Sequence, residues 1–568
     1  MTLFDRVAPG DGPGGRAPSA LAAVFGDVWT LVALALALGV ALPVIAVFGL
    51  AAIPTGPVWR HLVDTVLAIY VGNTVVLLIG VGIGVLTIGV GTAWLVTMYR
   101  FPGRRVFQVA LLLPMAIPAY VIAYTYTGLL DFAGPVQSGL RALTGWARRD
   151  YWWPEVRSLG GAIAMLTLVL YPYVYMLARA AFLEQSVCVL EISRTLGRGP
   201  WRTFAEVALP LARPAIVTGV TLALMETLND YGTVQYFAVD TFATGIFRAW
   251  FGMGQPGAAA QLAAILMLFV LALILAERLS RGRARFHQTS MRYRGLPGLE
   301  LRGAASALAI GACALPVLFG FIVPATALAA WAIKTAPAMV DVHFLRLARN
   351  SFVLAAIAAM AAVAMSVLLA YSYRLRPSRL VFAANRVAAM GYAAPGLVVA
   401  VGIMLPFAEF DNRIDAFMRA HFGWSTGLLL SGTLVAVTYA YLVRFLAVAL
   451  STVEASLAKV TPSMDQAART LGHGPLATVL RVHAPIMRPS LLTAAVLVFV
   501  DVMKELPATL VMRPFNFDTL AIRVYELAGD ERLADSSSAA LAIVLVGIVP
   551  VALISRAIQH GRPGNAGA

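Results

Sequence analysis

Ten stretches of this chain contain no Asp, Glu, Lys or Arg, and each is about long enough to cross a lipid bilayer as one helix, which takes about 20 apolar residues. They are residues 28–59, 65–99, 106–130, 159–178, 249–276, 303–333, 350–373, 387–408, 425–443 and 536–555. Two further apolar segments begin at Pro214 and Pro489 and are interrupted by acidic residues. The sequence therefore predicts an all-α polytopic membrane protein with about twelve transmembrane helices.

The charge content excludes a soluble protein of this length. Only 12% of the 568 residues are charged and 60% are hydrophobic, whereas soluble domains carry roughly 25% charged residues. The formal net charge of +15 comes almost entirely from arginine. A basic chain can bind nucleic acid, but arginines placed in the loops of a membrane protein favour a lipid bilayer as the partner and no nucleic acid.

The arginines cluster in alternate connections between the predicted helices. The connections after the second, sixth and eighth helices hold Arg100, Arg104 and Arg105; Arg278, Arg281, Arg283, Arg285, Arg292, Arg294 and Arg302; and Arg374, Arg376 and Arg379. Because cytoplasmic loops carry an excess of Lys and Arg, we predict that the even-numbered connections and both termini lie in the cytoplasm. The apolar stretch after residues 1–27 is too long for the core of a signal peptide, so we expect it to remain as the first helix.

The sequence repeats itself at an offset of 275 residues. Residues 191–213 read EISRTLGRGPWRTFAEVALPLAR, and residues 466–488 read QAARTLGHGPLATVLRVHAPIMR. The same offset aligns Glu226 with Asp501, Asp230 with Glu505, Thr244 with Thr519 and Arg248 with Arg523, and an offset near 277 aligns Asn73 with Asn350 and Pro118 with Pro395. An even number of helices separates the copies, which predicts a parallel duplication, one of the symmetries that transporters use.

This duplication divides the chain into five predicted regions. A cytoplasmic tail covers residues 1–27, and a first repeat covers 28–280 with its core at about 65–280. A basic cytoplasmic linker covers 281–302, and a second repeat covers 303–557 with its core at about 345–557. Residues 558–568 form a second cytoplasmic tail.

Each repeat has a charged segment between its fourth and fifth helices, at residues 191–213 and 466–488, which we call the elbow segments. Both contain the pattern Gly-x-Gly-Pro, as Gly197, Gly199 and Pro200 and as Gly472, Gly474 and Pro475. A glycine just past a helix end accepts the left-handed cap conformation, and proline suits the first turn of the next helix. We therefore predict a short helix, a sharp turn and a second short helix that ends at Pro210 or Pro485. Two copies with matched spacing favour a surface that docks on a partner over an ordinary connector.

The elbow segments are similar to the EAA loop of binding-protein-dependent ABC importer permeases. The residues that carry this resemblance are Glu191, Gly197, Val207, Leu209 and Pro210 in the first copy and Gln466, Ala467, Ala468, Gly472, Val482, Ala484 and Pro485 in the second. The second copy departs from the pattern with glutamine for glutamate and alanine for leucine. The resemblance covers about 65–280 and 345–557.

This resemblance implies the partners of the chain. One chain would pair with two copies of an ABC ATPase, which would bind ATP and Mg, and with a periplasmic or extracellular substrate-binding protein. The chain would itself bind no cofactor and catalyse no reaction, and it contains no Gly-x-x-x-x-Gly-Lys-Ser/Thr loop for ATP. Residues 228–241 and 504–521 are similar to fused ferric-iron permeases of the bacterial inner membrane, and fused thiamine permeases are the alternative.

Acidic residues interrupt the fifth and eleventh helices. Twelve uncharged residues follow Arg213 and Arg488, so Glu226 and Asp501 lie roughly 20 Å deeper at 1.5 Å per residue. Asp230 and Glu505 follow one turn later, and the helices should break at Gly232 and Pro507. A charge at mid-membrane costs about 2.5–3.5 kcal/mol on insertion scales, which makes these residues candidates for a substrate path.

Two interpretations of these buried charges remain open. Lys504 lies three residues from Asp501 and could neutralise it in a purely structural pair. Alternatively, the carboxylates line a cation path with Tyr231, because a hard cation such as ferric iron prefers carboxylate and phenolate oxygens. No spacing in the sequence predicts a stable metal site.

The outer segments, residues 232–257 and 507–537, follow these breaks and return to the membrane on the side opposite the elbows. In the family that the chain resembles, loops in this place meet the substrate-binding protein. Thr244 and Arg248, and Thr519 and Arg523, are therefore candidate docking residues. A solvated loop whose arginines contact lipid headgroups is the alternative.

A secondary transporter and an intramembrane enzyme are the two alternatives to a permease. A secondary transporter can also show a parallel duplication, but it would not need two matched elbows on the cytoplasmic side. An intramembrane metalloenzyme would need a ligand motif such as His-Glu-x-x-His, and the seven histidines are scattered.

Overall fold

The computed structural model describes residues 27–148, 150–184, 199–281 and 299–560 of the chain. The first half, up to residue 281, contains α1 Val28–Ala51, α2 Pro57–Thr65, α3 Leu67–Met98, β1 Tyr99–Arg100, α4 Arg104–Ala110, α5 Ala119–Leu130, α6 Pro135–Thr144, α7 Leu159–Glu184, α8 Pro200–Thr203, α9 Leu209–Asn229, α10 Gly232–Tyr236, α11 Phe242–Phe247 and α12 Pro256–Arg281. A 3₁₀ turn covers Leu113–Ala116, and π turns cover Phe204–Ala208 and Arg248–Gly252.

The second half repeats this order of elements. It contains β2 Leu299–Glu300, α13 Gly303–Val317, α14 Val323–Met339, α15 Val342–Leu375, α16 Arg379–Ala389, α17 Gly396–Phe422, α18 Leu434–Leu457, α19 Pro462–Thr470, α20 Pro475–Thr478, α21 Ala484–Met503, α22 Pro507–Met512, α23 Leu520–Gly529 and α24 Leu533–His560. A 3₁₀ turn covers Met390–Ala393, and π turns cover Leu318–Ile322 and Val479–His483. The strands β1 and β2 form one short parallel pair.

The prediction of an all-α polytopic membrane protein is confirmed. Among the described residues, ten helices are long and apolar enough to cross a membrane, and two bent pairs raise the number to as many as twelve. The bent pairs correct the prediction of one simple helix at 106–130 and at 387–408. Residues 104–144 bend by 91° and residues 379–422 by 110°.

Proline explains both bends. Pro118 and Pro395 precede the second helix of each pair in nearly identical extended conformations, with φ/ψ of −60°/145° and −58°/145°. Proline disfavours a helical residue before it, and Ile117 and Ala394 are accordingly extended. These are two of the prolines that the repeat aligns, so the duplication preserves the position of the bend.

The first helix of each half packs against the other half. Helix α1 contacts α15, α16 and α17, whereas α13 contacts α3 and α4. Two tyrosines reinforce this exchange, because the hydroxyl of Tyr439 donates to the carbonyl of Gly39 and that of Tyr126 donates to the carbonyl of Phe319 at 2.6 Å. The two halves therefore share one core.

Candidate functional site

A cavity of about 110 Å³ lies between the two halves. Its lining includes all six residues that the sequence places in a substrate path: Glu226, Asp230, Tyr231, Asp501, Lys504 and Glu505. The predicted breaks are also present, because α9 ends at Asn229 and α21 at Met503, just before the short helices α10 and α22. Their role in transport remains a prediction, but the structure brings these residues together from both halves.

Asp230 and Glu505 cap the short helices that follow the breaks. The carboxylate of Asp230 accepts hydrogen bonds from the backbone N–H groups of Thr233 and Val234, at 3.1 and 3.2 Å. Glu505 accepts bonds in the same way from Ala508 and Thr509, at 2.9 and 3.0 Å. Carboxylates are favoured at this position because the first N–H groups of a helix lack partners within it. These two carboxylates therefore hold the broken helices in place.

Glu505 also forms a buried ion pair with Arg444. The distance from Nη1 of Arg444 to Oε1 of Glu505 is 3.0 Å, and the two side chains are 3% and 2% exposed. Gly396 allows this pair to approach, because a Cβ atom there would lie 2.9 Å from Oε1 of Glu505. The N–H of Gly396 in turn donates to Oδ1 of Asn229 in the first half, at 2.7 Å. Nothing in the local sequence indicated Arg444 or Asn229, because both act through contacts distant in the chain.

Glu226 and Asp501 have fewer partners. Tyr392 donates a hydrogen bond of 2.9 Å to Glu226, and Lys504 lies 3.0 Å from Asp501. The pairing of Lys504 with Asp501 that the sequence suggested is thus present. The side chains of Lys504 and Asp501 are each about a quarter exposed. A ligand in the cavity can therefore reach the carboxylate of Asp501.

The cavity is acidic and rich in phenols. Four carboxylates face two cations, Arg444 and Lys504, and four tyrosines complete the lining: Tyr120, Tyr173, Tyr231 and Tyr392. The hydroxyl of Tyr120 is buried and has no hydrogen-bond partner in the described part of the chain. Within that part, no three His, Cys, Asp or Glu side chains are arranged to hold a metal ion.

The second elbow segment has the predicted shape up to its turn. Helix α19 ends at Thr470, and Gly472 takes the left-handed conformation with φ of 78°. Gly474 precedes Pro475, which begins α20. Gln466 and Ala467 are exposed, so a partner can reach them. In the first copy, Gly199 and Pro200 lie at the start of α8, whereas Glu191 and Gly197 fall outside the described residues.

The prediction that a second short helix ends at Pro210 or Pro485 is wrong. The chain continues without a break into the membrane, as single helices over Trp201–Asn229 and Pro475–Met503. A π turn precedes each proline, at Phe204–Ala208 and Val479–His483. Proline has no N–H to donate to the helix. The π turn changes the pattern of backbone hydrogen bonds just before it, so the helix continues past the proline. The described part of each elbow is therefore continuous with a helix that reaches the cavity.

The outer segments are packed helices in large part. Thr244 and Thr519 are 3% and 5% exposed. The hydroxyl of Thr244 contributes to the capping box of α11, and that of Thr519 caps α23. Both threonines therefore have a structural role in the short helices.

The alignment of Thr244 with Thr519 is shifted by three residues relative to the structure. The N-caps are Thr241 in the first half and Thr519 in the second. The amides of Asn73 and Asn350 mark the same positions, because they donate to the carbonyls of Asp240 and Asp518, at 2.9 and 3.2 Å. Arg248 and Arg523 consequently do not occupy equivalent places.

The two candidate docking arginines differ in their surroundings. Arg248 lies 2.8 Å from Asp240, and its side chain is 52% exposed. Arg523 is partly exposed, and no ion pair joins it to another side chain of the described ranges. A role of either residue in docking stays a prediction.

Side-chain contacts join the first half to the second half near the outer segments. The hydroxyls of Tyr231 and Tyr525 lie 3.3 Å apart. Arg157 makes two hydrogen bonds of 2.7 Å to the carboxylate of Glu531 and lies over the ring of Tyr236 at 4.6 Å. The bonds from Arg157 hold the pKa of Glu531 below its usual value.

The fold and the site define a class of protein: a polytopic permease whose broken central helices meet at a cavity between two related halves. The sequence model of the family described as the inner membrane component of binding-protein-dependent transport systems matches residues 85–285. The chain is 27% identical to the Fe(3+)-transport system permease protein FbpB 2 of Haemophilus influenzae over 85% of this chain and 89% of that protein. Residues 85–285 thus resemble the domain of this family, and the chain as a whole is similar to a fused, two-domain permease.

Two shorter relatives match only part of the chain. The molybdenum transport system permease protein ModB of Escherichia coli is 29% identical over 35% of this chain and 88% of that protein. The sulfate transport system permease protein CysT of Escherichia coli is 32% identical over 26% of this chain and 51% of that protein. The matched family is described as the inner membrane component of binding-protein-dependent transport systems, and the long apolar helices of this chain agree with a multi-pass membrane protein.

Proposed function

We propose that this permease translocates ferric iron into the cytoplasm. A substrate-binding protein delivers the iron on the side of the outer segments, and two copies of a separate ATPase subunit bind the elbow segments. ATP and Mg are bound by those subunits, and this chain contributes no cofactor. Both termini lie in the cytoplasm on this proposal, as the distribution of arginine predicts.

The observation that carries the proposal is the chemistry of the cavity. Four carboxylates and two cations leave a nominal excess of two negative charges, with four phenols beside them. Ferric iron is a hard cation that prefers such oxygen ligands. An oxyanion such as molybdate or sulfate would instead be repelled by the excess negative charge.

The extent of the matches supports the same substrate class. FbpB 2 covers 85% of this chain, and the putative ferric transport system permease protein FbpB 1 of Haemophilus influenzae is 23% identical over 78% of it. Both alignments are long enough to include both halves. The molybdenum and sulfate relatives cover about a third and a quarter of the chain, no more than one half.

The size of the cavity argues against thiamine. The cavity volume is about 110 Å³. Pockets for drug-sized organic ligands span about 300–1,000 Å³. A partly hydrated ion fits this space, whereas a molecule with two aromatic rings requires a much wider opening.

The geometry suggests how the chain couples ATP hydrolysis to transport. Each elbow continues through a π turn into one helix, and that helix ends beside the cavity carboxylates. Movement of an elbow by an ATPase therefore displaces Glu226 or Asp501 along with its helix. The cation is held by weak, replaceable contacts, which allow it to leave as well as enter.

The test is transport by the complete complex. The permease is reconstituted in liposomes with its ATPase subunits and substrate-binding protein, and uptake of radioactive ferric iron is measured with and without ATP. Thiamine, molybdate and sulfate are tested in the same vesicles. ATP-dependent uptake of iron alone is expected. Uptake of one of the other solutes in place of iron would reject the proposed substrate.

A further inference from the structure

The carboxylate of Glu505 has no acceptor position left for a ligand. A carboxylate has about four lone-pair positions that can accept hydrogen bonds. Glu505 accepts from Nη1 of Arg444 and from the N–H of Ala508 on one oxygen, and from the N–H and the hydroxyl of Thr509 on the other. Its charge is also neutralised by Arg444 at 3.0 Å. Glu505 is therefore fully engaged within the protein.

Asp230, the equivalent residue of the first half, keeps one acceptor position. Its carboxylate accepts from the N–H groups of Thr233 and Val234 on one oxygen and from the hydroxyl of Thr233 on the other. No ion pair joins it to another described residue. At the offset of 275 residues, Val169 corresponds to Arg444, so no guanidinium fills the remaining position. A cation in the cavity can therefore bind to Asp230.

Two tyrosines of α5 place free hydroxyl groups beside this carboxylate. Tyr120 and Tyr124 are four residues apart and so lie on one face of the helix. They are 5% and 3% exposed, and neither hydroxyl has a hydrogen-bond partner in the described part of the chain. Tyr120 lines the cavity, and the negative charge of Asp230 acts on both hydroxyls. Buried polar groups without partners are rare in native proteins, so a ligand is the natural partner for these two.

A glycine brings the carboxylate and the phenols together. Gly232 lies just after the break at the end of α9, and a Cβ atom at this position would lie 2.6 Å from Cβ of Tyr120. A larger residue would therefore force α10 away from α5, and Asp230 with it. Gly232 thus allows the close approach of the two elements as well as the break.

The equivalent positions of the second half offer no oxygen ligands. At the offset of 277 residues that aligns the two bends, Leu397 corresponds to Tyr120 and Val401 to Tyr124. Both of these apolar residues are buried. The open carboxylate position and the free phenols are therefore gathered on the side of the first half.

These groups lie between the outer segments and the deeper part of the cavity. The ring of Tyr124 is 4.6 Å from that of Tyr236, whose hydroxyl accepts a hydrogen bond of 3.1 Å from Arg157 at the contact between the halves. Asp230 follows Glu226 by four residues, on the side away from the elbow. On the route proposed for the substrate, a solute therefore reaches Asp230 before Glu226.

We propose that Asp230, Tyr120 and Tyr124 form an entry station, which binds a hard trivalent cation through one carboxylate oxygen and two phenol oxygens before the ion reaches Glu226. This inference rests on the proposed function of the cavity as a cation path. Hard cations prefer oxygen ligands. Three protein ligands are fewer than the roughly six to eight oxygens that hold a resident Ca²⁺, so the ion keeps part of its hydration shell and can move on.

The test measures cation binding by the full-length permease in detergent. Terbium, a hard trivalent ion, is titrated by calorimetry, because the variants remove tyrosines that would excite its luminescence. Tyr120→Phe and Tyr124→Phe remove only a hydroxyl, and each should weaken terbium binding about tenfold, a loss of about 1.4 kcal/mol. The melting temperature without terbium should not fall, because a hydroxyl without a partner makes no hydrogen bond that the variant could lose.

Tyr171→Phe is the matched control. The hydroxyl of Tyr171 is also buried without a partner in the described ranges, but this residue is not part of the cavity lining. The variant should bind terbium like the wild type. Asp230→Asn should weaken binding more than either phenylalanine variant, because it removes the charge, while asparagine can still accept the capping hydrogen bonds.

The outcomes separate the entry station from the proposed substrate. Terbium affinities of Tyr120→Phe and Tyr124→Phe equal to that of Tyr171→Phe would overturn the entry station, as would a wild type that binds no terbium. A lower melting temperature with unchanged affinity would assign the hydroxyls to stability and overturn it too. Weaker terbium binding in these variants, together with a complex that takes up a cation other than ferric iron, would keep the entry station and reject iron. Unchanged terbium binding in a complex that takes up iron would do the reverse.

Discussion

Tyr392 of the second half donates a hydrogen bond of 2.9 Å to Glu226 of the first. Glu226 forms no ion pair with another residue of the described ranges. The hydrogen bond from the neutral phenol of Tyr392 stabilises the carboxylate without neutralising its charge. A carboxylate held in this way can accept a cation without first breaking an ion pair.

We expect Glu226→Gln to lower iron uptake about tenfold, the effect of losing roughly 1.4 kcal/mol of favourable interaction in the transport step. Assembly with the ATPase subunits should be normal, because glutamine retains an acceptor for Tyr392. Uptake per assembled complex is the measurement. Tyr392→Phe keeps the carboxylate and should cause a smaller loss. Equal uptake by Glu226→Gln and wild type would remove Glu226 from the path.

Lys504 pairs with Asp501, and its removal should strengthen cation binding, whereas the removal of a carboxylate should weaken the interaction with the cation. A lysine 3.0 Å from the carboxylate competes with any cation that enters the cavity. Lys504→Gln should therefore tighten binding of a trivalent cation and slow its release. Terbium, whose luminescence is excited through nearby tyrosines, serves as the probe. Lys334→Gln, at an exposed position on α14, is the control.

The two possible roles of this pair predict different results. If Lys504 only stabilises the fold, removing one partner of a partly buried pair should cost about 1–3 kcal/mol, and the melting temperature should fall without a gain in terbium affinity. If Lys504 instead occupies the position that a bound cation would take, Lys504→Gln should raise the affinity for terbium and lower the rate of transport. Asp501→Asn should weaken terbium binding in the second case and leave it unchanged in the first.

Local sequence was sufficient to predict part of this architecture. The charge-free stretches predicted the membrane spans, and Gly232 and Pro507 predicted the breaks after α9 and α21. Lys504 and Asp501 could be paired because they are three residues apart, which places them on one face of a helix. Each of these inferences depends on residues close together in the chain.

The remaining contacts could not be read from local patterns. Arg444 and Glu505 are 61 residues apart, and Tyr392 and Glu226 are 166 apart, so no spacing rule connects them. The contacts of Asp465 with Arg374 and His483 were missed because the three residues lie on separate elements of the fold. The outer segments were aligned three residues out of step, since a gap within a repeat leaves no signal in one sequence.

The turn of the second elbow gives a prediction with a matched control. Gly472 has a φ of 78°, and a residue with a Cβ atom pays roughly 1–2 kcal/mol in that conformation. Gly474 lies in open space at a φ of −69°, which any residue can adopt. We expect Gly472→Ala to reduce transport per ATP and Gly472→Pro to uncouple the two processes. Gly474→Ala should behave like wild type.

The elbow assignment can be rejected directly by these variants. Transport and ATP turnover are measured together in reconstituted complexes, so that loss of protein is not mistaken for loss of coupling. Normal transport by Gly472→Pro would show that the turn does not transmit movement. A similar defect in Gly472→Ala and Gly474→Ala would attribute the effect to lost flexibility, with no special role for the left-handed turn.

The ion pair of Arg157 with Glu531 predicts a dependence of stability on pH. Arg157 lowers the pKa of Glu531 in the folded protein, so its contribution is present above the unfolded pKa, near 4.3. That contribution is lost as the pH falls through the lower folded pKa. Glu531→Gln should therefore lower the melting temperature at neutral pH and reduce its further fall in acid. Glu409→Gln, which removes an exposed pair within α17, is the control.

The outer segments remain the predicted surface for the substrate-binding protein, and Arg248 and Arg523 are its testable residues. Charged groups at the rim of an interface act mainly on the association rate and its salt dependence. Asp240 already neutralises part of the charge of Arg248 at 2.8 Å, so Arg523→Glu should have the larger single effect. The double reversal should slow capture of the loaded binding protein most strongly at low salt.

Basal ATP turnover should be unaffected by this double variant, because the elbows lie at the other end of the helices. Arg302→Glu is the matched control: its side chain is 87% exposed, and it lies in the connection between the two halves, away from the outer segments. It should leave the association rate and its salt dependence unchanged. If Arg248→Glu with Arg523→Glu behaves in the same way as this control, the arginines do not contact the binding protein, and contact with lipid headgroups becomes the better explanation of their positions.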